Sequence, residues 1–114
     1  MKQDNNMSML LDFYGVLLTE KQRLALEMYY NMDFSLSEIA DNIAVTRQCA
    51  RDFIKKGEAH LLDFEDKAGF YNKFQLILDE TRNIQNEILK TGADKTESGK
   101  NILKSVDNIS DIFN

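Results

Sequence analysis

Six residues near the middle of this sequence have side chains that suit contact with nucleic acid: Thr46, Arg47, Gln48, Arg51, Lys55 and Lys56. The two arginines can each form paired hydrogen bonds with the edge of guanine, and the glutamine can do the same with adenine. The threonine and the two lysines are better suited to phosphate groups, where contacts position a protein without reading base sequence. We therefore predict a nucleic-acid-binding site made of these six residues.

The residues that precede this cluster indicate how it is held. A helix-turn-helix needs a short helix, a tight turn and a second helix, with a small residue where the helices cross. Ala40 meets the need for a small residue, Val45 can pack beneath the turn, and Thr46 can cap the second helix. The turn usually carries glycine four residues after this alanine, and Ala44 stands there instead. We expect the second helix to present its first turns, with the basic residues, to a DNA groove.

Apolar residues recur every three or four positions along most of the chain, which predicts helices. The six predicted helices cover approximately residues 7–16, 19–31, 35–42, 46–67, 70–90 and 100–112. Capping boxes that begin at Thr19 and Ser35 mark the starts of the second and third helices. Gly15 and Gly69 are expected to end the first and fourth helices in left-handed conformations, Gly69 in a Schellman motif with Phe70. The predicted fold class is all-α.

The sequence is expected to form two domains. Residues 1–69 make the predicted helix-turn-helix domain, and residues 70–114 make a C-terminal helical extension. The two helices of this extension each carry a heptad-like apolar seam, the second of which ends at Phe113, and a polar segment at 91–99 is expected to be a mobile linker. The seams could close on each other as a hairpin or pair between chains, and we predict a homodimer through them.

Charge is distributed unevenly along the chain. The net charge is -5, so a nucleic-acid-binding role requires a local concentration of basic residues. Residues 1–42 carry 3 basic and 7 acidic groups, whereas residues 43–69 carry 5 of each. The acidic N-terminal third therefore contrasts with the middle of the chain.

Other features of the sequence predict a cytoplasmic protein that is not an enzyme. The single cysteine, Cys49, cannot form an internal disulfide, and no signal peptide or membrane-spanning run is recognisable. His60 is the only histidine, and the acidic residues near it lack the loop of a cation site. The chain carries no catalytic triad or phosphate-binding glycine loop, so we predict no catalysis, cofactor or metal.

Several short segments of the sequence together resemble one known family. They are Leu-Asp-Phe-Tyr-Gly at 11–15, Leu-Leu-Thr-Glu-Lys-Gln-Arg at 17–23, Tyr-Tyr at 29–30, Ser-Leu-Ser-Glu-Ile-Ala at 35–40 and Thr-Arg-Gln at 46–48. This combination is similar to the YlxM family of Gram-positive bacteria and mollicutes. The resemblance implies a fold like region 4 of bacterial sigma factors, in the winged-helix-like DNA-binding class but without a wing. Because genes of the family lie beside those of the signal recognition particle (SRP), it also implies a role in that pathway.

The sequence departs from the family pattern just after the cap. The family usually has Arg-Gln-Ala-Val-Tyr-Asp, whereas this chain has Arg-Gln-Cys-Ala-Arg-Asp at 47–52. Ala50 thus replaces a larger residue and Arg51 an aromatic one, so we expect looser packing beneath a more basic outer face. Two functions stay open at this point. One is a DNA-binding regulator, and the other is a protein- or RNA-interaction module that docks on an SRP component through the acidic N-terminal third.

Overall fold

The computed structural model describes residues 6–112, and this range contains six α-helices. They are α1 (Met7–Tyr14), α2 (Glu20–Tyr30), α3 (Leu36–Ile43), α4 (Arg47–Ala68), α5 (Phe70–Thr91) and α6 (Glu97–Ile112). Short 3-10 turns follow α1 at Gly15–Leu17 and α5 at Ala93–Lys95. The all-α prediction is confirmed for the described range. The expectations for the N-terminal five residues and for Phe113 lie outside it.

The end of α1 differs from the predicted one. Gly15 has φ -55° and ψ -33°, which is right-handed, so the prediction of a left-handed stop at this glycine is wrong. Gly15 instead begins the 3-10 turn, and the chain leaves helical geometry at Leu18, where φ is -82° and ψ is 159°. The chain therefore changes direction at Leu18, which is extended. Gly15 adopts a right-handed conformation that any residue could take.

Both predicted capping boxes are confirmed. The Thr19 hydroxyl oxygen accepts the N–H of Gln22 at 3.3 Å, and the Gln22 side-chain oxygen accepts the N–H of Thr19 at 3.4 Å. Ser35 and Glu38 make the equivalent pair of bonds at 3.1 and 2.9 Å. The bond from the Ser35 N–H also lowers the pKa of the Glu38 carboxyl below its ordinary value. These bonds satisfy N–H groups that the first turn of a helix leaves without partners.

The chain divides into two compact units, of which the first ends at Tyr71. In this unit α4 packs against α1, α2 and α3, and the residues with no exposed surface are Ala25, Leu26, Ile39, Ala50 and Leu61. The fully buried Leu26 belongs to α2. It is buried because α4 carries glycine opposite it: a Cβ built on Gly57 would lie 2.6 Å from Leu26 Cδ1. The glycine allows α2 and α4 to approach closely at this point.

A buried tyrosine ties α1 to the end of α4. The Tyr14 hydroxyl donates to Glu65 Oε1 at 2.6 Å and accepts the N–H of Phe70 at 3.1 Å, while Tyr71 N–H donates to the same Glu65 oxygen at 3.0 Å. Gly69 is left-handed, as predicted, with φ 66°. The predicted Schellman motif is replaced by a simpler left-handed cap, because the Phe70 N–H bonds to the tyrosine.

The second unit begins at Asn72 and includes most of α5, the 3-10 turn and α6. The expectation of a polar linker at 91–99 is wrong, because this segment folds into the 3-10 turn and the start of α6. Thr96 caps α6 by accepting the Gly99 N–H at 2.9 Å, and the helix begins at Glu97 rather than at the predicted residue 100. No helix of the described range is both long and apolar enough to cross a lipid bilayer.

Candidate nucleic-acid interface

The turn between α3 and α4 has the tight form that a helix-turn-helix requires. Ala44 adopts the left-handed conformation, with φ 57° and ψ 49°. The N–H groups of Ala44 and Val45 both bond to the carbonyl of Ala40, the second at 3.0 Å. Ala40 is buried and Val45 packs against the core, as predicted. Alanine therefore occupies a conformation that usually belongs to glycine, at a cost of about 1–2 kcal/mol relative to the right-handed form.

Thr46 starts α4 as predicted. Its Oγ1 accepts the N–H of Cys49 at 3.1 Å, which places Arg47 in the first turn of the helix. The hydroxyl retains its own proton and can donate it, so capping the helix does not prevent contact with a phosphate oxygen. Cys49 is half-buried.

All six residues of the predicted site are exposed to solvent. Arg47, Gln48 and Arg51 line a shallow depression of about 370 Å³ together with Leu36 from the start of α3. Leu36 is half-buried. Its remaining exposed surface adds an apolar wall to the depression. Guanidinium groups and an amide beside an apolar wall can contact both the polar edges of bases and the methyl group of thymine.

The six residues do not form one patch. Successive residues of an α-helix are separated by about 100° around its axis. Arg47, Gln48, Arg51 and Lys55 therefore lie within about a third of the circumference, whereas Lys56 is about half a turn from Arg47. Arg47 and Lys56 thus lie at opposite borders of the exposed face of α4. Three of these four, Arg47, Gln48 and Arg51, line the depression.

The two halves of α4 carry opposite charge. Residues 47–56 include four basic groups and one carboxylate, whereas residues 57–68 include four carboxylates and one basic group. That basic group, Lys67, pairs with Asp63 at 2.9 Å. None of the four basic side chains in the first half forms an ion pair with another described residue. They remain available to an external anion, next to the N-terminus of a helix, which also favours negative charge.

One member of the exposed face was missed by sequence reasoning. The Gln48 side chain donates from Nε2 to Asp52 Oδ1 at 3.1 Å, and both residues are exposed. The separation of four residues was a usable signal, since glutamine and aspartate at this spacing lie next to each other on a helix. The interaction places a carboxylate within an otherwise basic surface.

The remaining residues with possible chemistry are engaged elsewhere in the first unit. The exposed His60 ring stacks near Phe64, with centroids 6.1 Å apart. Tyr30 donates a hydrogen bond to Glu58, and its ring meets that of Tyr29 edge to face at 5.1 Å. Within residues 6–112, no three histidine, cysteine or acidic side chains are grouped so that they could hold a metal ion.

Comparison with known proteins identifies the relatives of this chain. Residues 1–106 match the UPF0122 family, described as "Putative helix-turn-helix protein, YlxM / p13 like". A UPF0122 protein of Exiguobacterium sibiricum is 45% identical over 83 residues, which cover 70% of this chain and 78% of the relative. One from Clostridium kluyveri is 42% identical over 85 residues, covering 75% and 70% of the two chains. One from a Thermoanaerobacter species is 39% identical over 105 residues, covering 90% and 86%.

Proposed function

Because the chain belongs to the UPF0122 family of YlxM/p13-like helix-turn-helix proteins, we propose that it is a DNA-binding regulatory protein. The observation that carries this proposal is the depression at the start of α4, where Arg47, Gln48 and Arg51 are exposed beside Leu36. These side chains have the hydrogen-bonding groups and the apolar surface that base edges require. The protein acts in this proposal by binding, and not by catalysing a reaction.

In the proposed complex the first turns of α4 enter the major groove. Arg47, Gln48 and Arg51 approach base edges, while Thr46 contacts a phosphate from the start of the helix. Two lysines complete the site, and their separation around the helix gives them different partners. Lys55 lies on the side of the arginines, and Lys56 lies toward the opposite wall of the groove. Phosphates line both walls, so each lysine can neutralise one strand.

We further propose that residues 70–114 serve as an extension through which two copies pair. Six large apolar side chains of the second unit are exposed in the single chain: Leu76, Ile77, Ile84, Leu89, Ile102 and Ile112. Burial of such side chains between copies stabilises a dimer through the hydrophobic effect. A dimer presents two reading helices, the arrangement that many helix-turn-helix proteins use for paired half-sites.

A second candidate function is docking on a protein or RNA component of the SRP. The observation that favours it is the apolar 3-10 turn in the acidic N-terminal third. Val16 is 85% exposed and Leu17 is 61% exposed. Two neighbouring apolar side chains in this acidic part of the sequence suit a partner with an apolar centre and a basic rim. Either function would place the protein in the cytoplasm, and the family resemblance links both to the SRP pathway.

Duplex binding measured at two salt concentrations tests the proposal. Binding through several phosphates is expected to weaken by orders of magnitude between about 50 and 200 mM salt. The double variant Arg47→Ala, Arg51→Ala should bind every duplex more weakly. A control with Lys21→Ala and Lys67→Ala removes two exposed cations of the same unit and should change affinity little.

Unchanged affinity of the arginine variant for every nucleic acid would reject the DNA-binding role. Salt-insensitive binding to an SRP component that is lost on Val16→Ser or Leu17→Ser would support the second function instead, because contacts with an apolar centre depend little on salt.

A further inference from the structure

A carboxylate lies on the surface that the proposed function brings to DNA, between Gln48 and Lys56 around the helix axis. Asp52 is the one acidic residue of positions 47–56, and it is exposed. A negative charge close to DNA phosphates lowers affinity for every sequence. Its specific contact in the structure is with Gln48, whose Nε2 donates to Asp52 Oδ1 at 3.1 Å.

This contact determines which way the glutamine amide faces. An ionised carboxylate can only accept hydrogen bonds, so it holds the amide nitrogen and excludes the amide oxygen. The Gln48 oxygen and the second hydrogen on its nitrogen then remain available together. Without Asp52 the amide could turn over and exchange its donor and acceptor positions. The carboxylate thus converts a flexible side chain into one with a defined hydrogen-bonding pattern.

We propose that Asp52 is a positioning residue that sets Gln48 to recognise adenine in duplex DNA. Adenine offers an acceptor at N7 and a donor at N6 in the major groove, which match the remaining donor and acceptor of the held amide. The negative charge lowers affinity for all sequences, while the orientation of Gln48 favours one base. This inference rests on the proposed DNA-binding function and adds the base that the site prefers.

The two effects of Asp52 can be separated by substitution. Asp52→Ala removes both the charge and the hydrogen-bond acceptor, whereas Asp52→Glu keeps both at the same helical position. Asp66→Ala is a matched control for the charge, since Asp66 is exposed on the same helix. It lies about 21 Å along the axis from Asp52, well beyond the screening length at physiological salt.

The experiment selects binding sites from a randomised duplex library with the full-length protein and each variant, and then measures affinity for selected and unrelated duplexes. The wild type should prefer adenine at one position, and Gln48→Ala should abolish that preference. Asp52→Ala should reduce the preference by about two- to tenfold, the range expected when one side chain must be ordered on binding. It should also bind unrelated duplexes more tightly. Asp52→Glu should keep the preference, and Asp66→Ala should match the wild type.

Full adenine preference in Asp52→Ala would overturn the inference, as would a wild-type selection with no adenine position that depends on Gln48. Both outcomes leave salt-dependent duplex binding intact, so the proposed function survives them. Absence of any salt-dependent duplex binding by the wild type would instead reject the proposed function and the inference with it. Circular dichroism of each variant checks that helical content is unchanged.

Discussion

The first unit surrounds one long helix with three others, whereas the second unit consists of the rest of α5, a turn and α6. Eleven apolar residues form the buried cluster of the first unit. In the second unit the buried residues of the described range are Phe74, Thr81, Gly99 and Val106. The comparison shows that a well-packed core holds the helix that bears the proposed interface. Each unit exposes six large apolar side chains, but the second unit has far fewer buried residues, which suits the proposed extension whose packing is completed by association.

The largest effect is expected from a cavity in the core of the first unit. Leu26→Ala should lower the free energy of unfolding by about 3–5 kcal/mol, because Leu26 has no exposed surface and α4 packs against it. Denaturant titration measures the loss, and hydrogen exchange should report it in residues 7–68. Leu62→Ala, at a leucine that is 52% exposed, should cost much less. Equal losses in the two variants would contradict the assignment of the core.

Stability of the second unit should depend on the single glycine in α6. A Cβ on Gly99 would lie 1.7 Å from the Ala93 carbonyl oxygen, so the turn must shift to admit alanine. Gly99→Ala should therefore destabilise the second unit by about 3 kcal/mol, with faster hydrogen exchange in residues 92–112. Gly92→Ala provides the comparison, since no atom lies within 4 Å of its Cβ position and only its left-handed φ of 77° opposes the change. A smaller loss for Gly99→Ala than for Gly92→Ala would show that the turn differs from the one described.

A moderate effect is expected at the tyrosine that joins α1 to the end of α4. Tyr14→Phe removes a hydroxyl that donates to Glu65 and accepts from the Phe70 N–H, and should cost about 1–2 kcal/mol. Tyr71→Phe is the matched control, because its ring packs edge to face on Phe13 at 5.6 Å and no hydrogen bond of its hydroxyl is described. Similar losses in the two variants would contradict the role of the Tyr14 hydroxyl.

The same tyrosine predicts a dependence on pH. Burial and the hydrogen bond with Glu65 raise the pKa of the Tyr14 hydroxyl above its ordinary value of 10.0. The folded state therefore holds this proton more tightly than the unfolded state does. The contribution of Tyr14 to stability is complete below pH 10.0 and decreases as the pH rises through the folded-state pKa. The decline of stability above this pH should be shallower in Tyr14→Phe than in the wild type.

The smallest expected effect is a gain in stability from a substitution in the turn before the proposed interface. Ala44→Gly should raise the free energy of unfolding by about 0.5–1 kcal/mol, because glycine adopts the left-handed conformation without the cost paid by alanine. Ala59→Gly, in the right-handed interior of α4, should instead lower stability by about 1 kcal/mol. Thermal unfolding measures both changes. A higher melting temperature for Ala44→Gly and a lower one for Ala59→Gly would support the described turn. A loss of stability in Ala44→Gly would contradict it.

Local features of the first unit could be predicted where a few neighbouring residues decide the outcome. Thr19, Ser35 and Thr46 cap helices because their side-chain oxygens reach N–H groups only three residues away. Gly69 takes a left-handed conformation that suits a residue without Cβ. The prediction for Gly15 was wrong because glycine permits a left-handed conformation without requiring one. The cap at Thr96 was missed because the polar composition of its surroundings resembles that of a linker.

The sequence by itself determined the helices, the caps at Thr19, Ser35 and Thr46 and the basic first half of α4, because those features depend on residues within one or two turns of one another. Only the tertiary structure decided that Leu26 is buried opposite Gly57 and that Leu36 lies beside Arg47 and Arg51. These pairs belong to different helices, and their meeting depends on how closely the helices pack. The proposed interface thus combines locally encoded side chains with a surface that exists only once α3 and α4 are held together.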